Sequence, residues 1–229
     1  MQNHGRRGFL VALAATAAAP AFAAQPLLDS LTQGDATRGI RDALGLGAMN
    51  AVTRLGQVNG FYGEPRVRIP LPGLLGTAQR NFRNFGMAGP LDGLQEEINH
   101  AAERTMPQAG RLFVGAVQDM TIGDAIDIVR GPDNSATSYL RDHTQTGLTR
   151  ALRTPMNQAL TNSGVFTLLR TALRQVGMAS MTDDFRGQIV DFSTAKALDG
   201  CFLFIADEER AIRRDPARRT TDILRRVFG

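Results

Sequence analysis

With 43% hydrophobic and 21% charged side chains over 229 residues, the chain has the composition of a globular protein and not of a disordered one. Its formal charge of +4 includes Arg6 and Arg7 near the N-terminus. The remaining cations, all arginine except Lys196, interleave with carboxylates, as between Asp207 and Asp215, which argues against a nucleic-acid partner. Trp is absent and aromatics total 6%, so few side chains could stack on bases.

The chain opens with Gly5-Arg6-Arg7-Gly8-Phe9-Leu10, an alanine-rich run from Val11 to Ala19, then Pro20 and Ala21-Phe22-Ala23. A charged start, a short apolar run and a small-x-small site are the three parts of a cleavable signal peptide. The run is far shorter than the ~20 residues a membrane-spanning helix needs. Arg6-Arg7-x-Phe9-Leu10 resembles a twin-arginine signal. The expectation is residues 1–23 as leader, cleaved near Ala23, and residues 24–229 as one exported, periplasmic helical domain. The mature chain is expected to carry no transmembrane segment. Cys201 is the lone cysteine, so no internal disulfide can form; its setting in Phe202-Leu203-Phe204-Ile205 marks it as a small core residue.

Helical periodicity then recurs along the chain. Ile40, Leu44, Ala48, Val52 and Leu55 share one stripe, predicting a helix over about 36–56 that ends at Gly56. Gly45-Leu46-Gly47 falls within it and has no preceding strand, unlike a phosphate-binding loop. Residues 61–72 carry three prolines, predicting an extended loop or lone edge strand with Arg66 and Arg68 on one side and Val67 and Ile69 on the other.

Pro90 is expected to open a second helix with Leu91, Leu94 and Ile98 facing inward, and Pro107 a third with Phe113, Ala116, Val117 and Met120 inward. Thr121, with Asp124 three residues on, reads as the cap of a helix that Gly131-Pro132 breaks. Asp133 or Ser135 caps the next, to about Leu152, with shorter helices to Val176. A loop is expected over 177–184, then the most apolar helix from Ser193 or Thr194 to Arg214, and a final helix opening at Asp215-Pro216 with Ile223, Leu224, Val227 and Phe228 inward. The fold class predicted is all-α: one multi-helix bundle with one proline-rich extended loop.

Four blocks in order carry a resemblance to a known family. They are Phe61-Tyr62-Gly63 through Arg68-Ile69-Pro70-Leu71-Pro72; Met120-Thr121-Ile122-Gly123-Asp124-Ala125; Ala197-Leu198-Asp199-Gly200 with Ile205-Ala206-Asp207-Glu208-Glu209; and Pro216 through Arg219-Thr220-Thr221 to Val227-Phe228-Gly229. Nearly all of the mature chain resembles the bacterial exported family of unknown function numbered 4197 (DUF4197). The resemblance implies an exported helical envelope protein and supplies no activity. It also implies an aliphatic residue where Cys201 stands and a basic or polar one at His100.

Among chemistry-bearing residues, Glu209 falls on the apolar stripe of Leu198, Phe202, Ile205 and Ile212. An unpaired buried carboxylate costs several kcal/mol, so a partner is required. Arg66 and Arg68 are the first candidates, which would pin the proline-rich loop to the long helix. Glu97 and His100 have the Glu-x-x-His spacing of di-metal bundles, but a site needs a second such pair, and His143 has no glutamate three residues before it. No metal and no cofactor is therefore expected. Ser138, Asp142 and His143 form a local cluster without a nucleophile-elbow motif. Arg219 and Asp222 are spaced for a local ion pair.

Met49, Met87, Met106, Met120, Met156, Met178 and Met181 supply adaptable apolar surface. The function expected is a non-enzymatic envelope domain that binds an apolar ligand, a lipid among them, or a partner protein. An enzyme is the rival, favoured if Glu209, Asp199 and Arg68 converge on an open pocket.

Overall fold

A chain whose apolar residues recur every three to four positions must pack helix on helix, because each stripe needs another to exclude water. The computed structural model describes residues 31–229 apart from 124 and 176, and Leu31–Gly229 forms one compact unit. The leader expected at 1–23, the Asp124 capping residue and the helix end at Val176 lie outside the described residues. Eight helices occur among these residues, with no strand: α1 (Gln33–Leu55), α2 (Gly73–Arg83), α3 (Gly89–Asp119), α4 (Ala125–Arg130), α5 (Ser135–Asn162), α6 (Val165–Gln175), α7 (Thr182–Arg214) and α8 (Asp222–Phe228). None of them is long and apolar enough to cross a membrane.

The four long helices close a ring in which α1 packs on α3 and α7, and α5 packs on the same two. The short helices cover its flanks, α6 against α3, α8 against α1 and α4 between α1 and α5. The predicted α1 stripe, Ile40 to Leu55, is wholly buried, and Phe113 meets Phe202 edge-on at 5.2 Å in the interior. Each such side chain contributes roughly 1.5–3 kcal/mol by leaving water. Thr32 caps α1 by accepting from the Asp35 N–H at 3.0 Å, so the helix starts at Gln33, three residues before the expected position.

Pro107 and Pro155 do not bound helices; both lie inside them, in α3 and α5. A mid-helix proline removes one hydrogen bond and costs ~3 kcal/mol. Burial on both sides of each, at Met106 and Ala109 and at Leu152, Met156 and Leu160, outweighs that and carries the helix through. Helix α7 begins at Thr182 rather than Ser193, since Phe185, Ile189 and Val190 extend its buried stripe one way and Asp183 and Asp184 suit its N-terminus. Of the expected loop only residues 177–181 stay outside the α-helices, and Ala179–Met181 of these form a short 3-10 turn. The final helix also starts later: Pro216–Arg218 forms a 3-10 turn, and Thr221 caps α8 by accepting from Leu224 N–H at 3.3 Å. Helix α2 was not expected at all.

Candidate functional site

The proline-rich loop is held by helix α3, through a polar stripe at every fourth residue. Gln95, Asn99 and Glu103 are all buried. Asn99 accepts from Ile69 N–H at 2.7 Å and donates to the Ile69 carbonyl at 2.9 Å, a two-point grip on the loop backbone. Glu103 accepts from the N–H groups of Asn59, Phe61 and Tyr62 at 3.0–3.2 Å, where Asn59 takes a positive φ of 63° to turn the chain. The segment from Asn59 to Arg68 is thus a run of hydrogen-bonded turns, and residues 69–72 have no regular secondary structure. The predicted alternation survives, with Val67 and Ile69 buried and Arg66 and Arg68 exposed.

Gly200 lets this loop reach α7, since a Cβ there would lie 2.9 Å from the Phe61 ring and 3.3 Å from Val67. Farther along α7, Arg66 bonds Asp207 at 2.7 Å and sits over the Phe204 ring. Burial works to raise the Asp207 carboxyl, but hydrogen bonds from Arg66 and Arg210 outweigh it and hold the group below its ordinary value. The Glu64 carboxyl is lowered chiefly by its hydrogen bond from Arg66.

Glu209 is buried, as its place in the stripe requires, but Arg66 and Arg68 do not reach it. It lies two residues beyond Asp207, about 200° around the helix, so it faces away from the loop. Its ion-pair partner is Arg213, one turn on, at 2.9 Å. Its oxygens also accept from the N–H groups of Ala136 and Thr137 at 3.0 and 2.8 Å and from the Thr137 hydroxyl at 2.6 Å. Those N–H groups are orphan donors of the first turn of α5, whose own Asn134 makes no side-chain cap. Arg213 donates in turn to the carbonyls of Ile128 and Val129 at the end of α4. One acid and one base therefore tie three helix ends together.

Between the loop, α7 and the first turns of α5 lies a cleft of about 640 Å3. Its wall carries Arg66, Arg68, Arg141, Lys196 and Arg210, and its apolar floor includes Val67, Phe202, Leu203 and Ala206. Asp199 is the carboxylate on the lining, shared by Arg141 at 3.5 Å and Lys196 at 3.1 Å. Asp207 is shared by Arg66 and Arg210. Glu64 is a further partner of Arg66, so three acids against five cations leave a local excess of two positive charges, which low-dielectric walls focus. Arg68 donates to the Tyr62 carbonyl at 2.5 Å and stacks on the Tyr62 ring, with an oxygen of the backbone and not a carboxylate as its partner.

A sequence-family model for "Protein of unknown function (DUF4197)" matches residues 30–229. The chain belongs to DUF4197. No curated protein and no solved structure was found to match it. Of the four blocks that carry the resemblance to DUF4197, two contribute to the lining of the cleft, the loop through Arg66, Val67, Arg68 and Pro70 and α7 through Asp199, Gly200 and Ala206.

The other sequence candidates fall elsewhere. Arg66, Arg68 and Asp199 share the cleft, whereas Glu209 sits behind Thr137 in its wall. Ser138 opens on the cleft but His143 lines a different groove, beside Leu112 and Leu148, where it stacks on Tyr139. Glu97 pairs with Arg104, and His100 faces Asn59. Arg219 does not pair with Asp222; it donates to the Ile212 and Arg213 carbonyls at the end of α7, and Asp222 takes Arg225 instead. Cys201 is buried beside Met106, and burial pushes its thiol up to about 12. Met106, Met120 and Met156 are buried, while Met49 and Met87 are exposed, so the methionines do not converge on one pocket. The loop-holding residues Asn99 and Glu103 were not anticipated; polar residues at every fourth position beside an apolar stripe were the available signal.

Proposed function

We propose that this DUF4197 chain is an exported, non-enzymatic envelope protein that binds a small amphipathic anion in the cationic cleft. The leader sequence supports the periplasmic location. The single observation carrying the binding role is the excess of cation over carboxylate around a cleft with an apolar floor. Its volume falls within the roughly 300–1,000 Å3 of small-molecule sites. An acidic head group would meet Arg68, Arg141 and Lys196, and an apolar body would lie on Val67, Leu203 and Ala206. This keeps the apolar component of the expected ligand and adds the charge that the wall calls for.

Titration calorimetry with dodecyl phosphate, inorganic phosphate and dodecyl trimethylammonium tests the proposal. The amphipathic anion is expected to bind most tightly. Replacing Arg68 and Arg141 together by Ala is expected to weaken it at least tenfold, since charge-assisted hydrogen bonds contribute ~1.5–3 kcal/mol each. Equal binding of the cationic amphiphile, or an unaffected double variant, would remove the reading.

A further inference from the structure

The five cations of the cleft wall fall into two groups. Arg66 and Arg210 share Asp207 at 2.7 Å each, and Arg66 also meets Glu64 at 3.3 Å, so their charge is answered inside the fold. Arg68, Arg141 and Lys196 have only Asp199 among them on the lining. Arg141 reaches its Oδ1 at 3.5 Å and Lys196 its Oδ2 at 3.1 Å, while Arg68 donates to the Tyr62 carbonyl. This second group keeps two positive charges without a counter-charge. Its members come from the loop, α5 and α7, and each lies over an aromatic ring. Arg68 stands 5.1 Å from the ring centre of Tyr62, Arg141 4.8 Å from that of Phe202 and Lys196 5.9 Å from that of Phe192. Such stacking holds a long side chain without using up its N–H donors, so less ordering is left to offset binding.

The head group that fits carries two negative charges and several acceptor oxygens. A phosphate monoester has both, with about two charges above a second pKa of roughly 6. A carboxylate, a sulfate ester or a phosphodiester carries a single charge and leaves one cation unanswered. Asn134, which caps no N–H of α5, and Ser138 line the same cleft and add neutral donors for the remaining oxygens. We infer that the cleft selects amphiphiles headed by a phosphate monoester dianion over those with a singly charged head. The inference rests on the reading of the cleft as a site for an amphipathic anion and adds the class of the head group. Asp199 sets the preference, because it leaves two charges open among three cations.

Calorimetry with dodecyl phosphate and dodecyl sulfate, below micelle-forming concentrations, tests it at about pH 8 and about pH 5, on either side of the second phosphate pKa. The two share one chain, and the sulfate stays a monoanion at both pH values, so the ratio of their affinities isolates the second charge. The lining holds no histidine, the side chain that ordinarily changes charge in this range; His100 faces Asn59, and His143 lines another groove. At the higher pH the phosphate is expected to bind roughly tenfold more tightly than the sulfate, through stronger charge-assisted bonds. At the lower pH the two should converge. Lys196→Gln, at an exposed position, removes one open charge and is expected to cut the higher-pH ratio to roughly a third or less. Inorganic phosphate, charged but without a chain, is expected to bind more weakly than dodecyl phosphate. Equal binding of the two amphiphiles at the higher pH, or a ratio that Lys196→Gln leaves unchanged, would overturn the inference while the amphipathic-anion site stands. Inorganic phosphate binding as tightly as dodecyl phosphate would overturn the amphiphile in favour of free phosphate. If neither amphiphile binds at either pH, the site itself is lost and the inference with it.

Discussion

Glu209 shows how one residue can be read correctly for its burial and wrongly for its partner. A helical wheel places its carboxylate in the core, and that is where it lies; nothing in the wheel says which element closes over it. The partner supplied by tertiary structure is the unfilled first turn of α5, 72 to 73 residues away in sequence, together with Arg213. Glu209→Gln keeps the shape but sets an NH2 group against backbone donors and leaves Arg213, only 8% exposed, short of its counter-charge. Breaking a buried pair in this way costs about 3 kcal/mol or more. The denaturant midpoint of Glu209→Gln is therefore expected to fall by a corresponding amount, with the helical signal of the native baseline unchanged. A loss below about 1 kcal/mol, the range of an exposed pair, would mean the network does not tie the helix ends.

At the scale of elements, most long helices were legible because their apolar periodicity is strong, and the errors fell where a local rule was outvoted by packing. Pro107 looks like a boundary from sequence, and the helix after Ser135 reads as stopping near Leu152, yet in each place the residues on both sides share one buried face and the helix runs on, through Pro107 and through Pro155. The start of α8 shifted for a similar reason, since its position is set by contact with α1. Gly39 is the closest point of that contact: a Cβ there would lie 2.6–2.9 Å from three carbons of Val227. Alanine in a helix interior ordinarily gains about 1 kcal/mol over glycine. Here Gly39→Ala is expected to show no such gain, because overpacking costs ~1–3 kcal/mol. Amide exchange should accelerate across α8 while α3 and α5 stay protected. Adding Val227→Ala makes room for the new methyl, so the double variant should recover protection. Unchanged exchange in Gly39→Ala would show that α8 does not depend on this approach.

For the molecule as a whole, the all-α bundle was readable from stripes alone, but the cleft was not, since it joins a loop, a helix face and a helix N-terminus whose adjacency no local pattern encodes. Arg66, Arg68 and Asp199 could be picked out singly; Arg141, Lys196 and Arg210 complete the wall only once α5 and α7 meet. The Arg66–Asp207 bridge spans 141 residues and ties the loop to α7, so it should carry a pH signature. Asp207 is held below its ordinary value of 3.8 in the folded chain. A carboxyl lowered by folding stabilises fully above its unfolded pKa and loses that contribution as pH falls through the folded one. Both partners are partly exposed, so about 1 kcal/mol or less is at stake. The stability difference between the wild-type chain and Asp207→Asn, followed by urea unfolding, should stay constant from neutrality down to about the ordinary carboxylate range. Below that it should shrink as the wild-type carboxyl takes up its proton. A difference that persists undiminished into strong acid would mean that the loop is held by Asn99 and Glu103 alone, with the bridge to α7 adding shape and no charge.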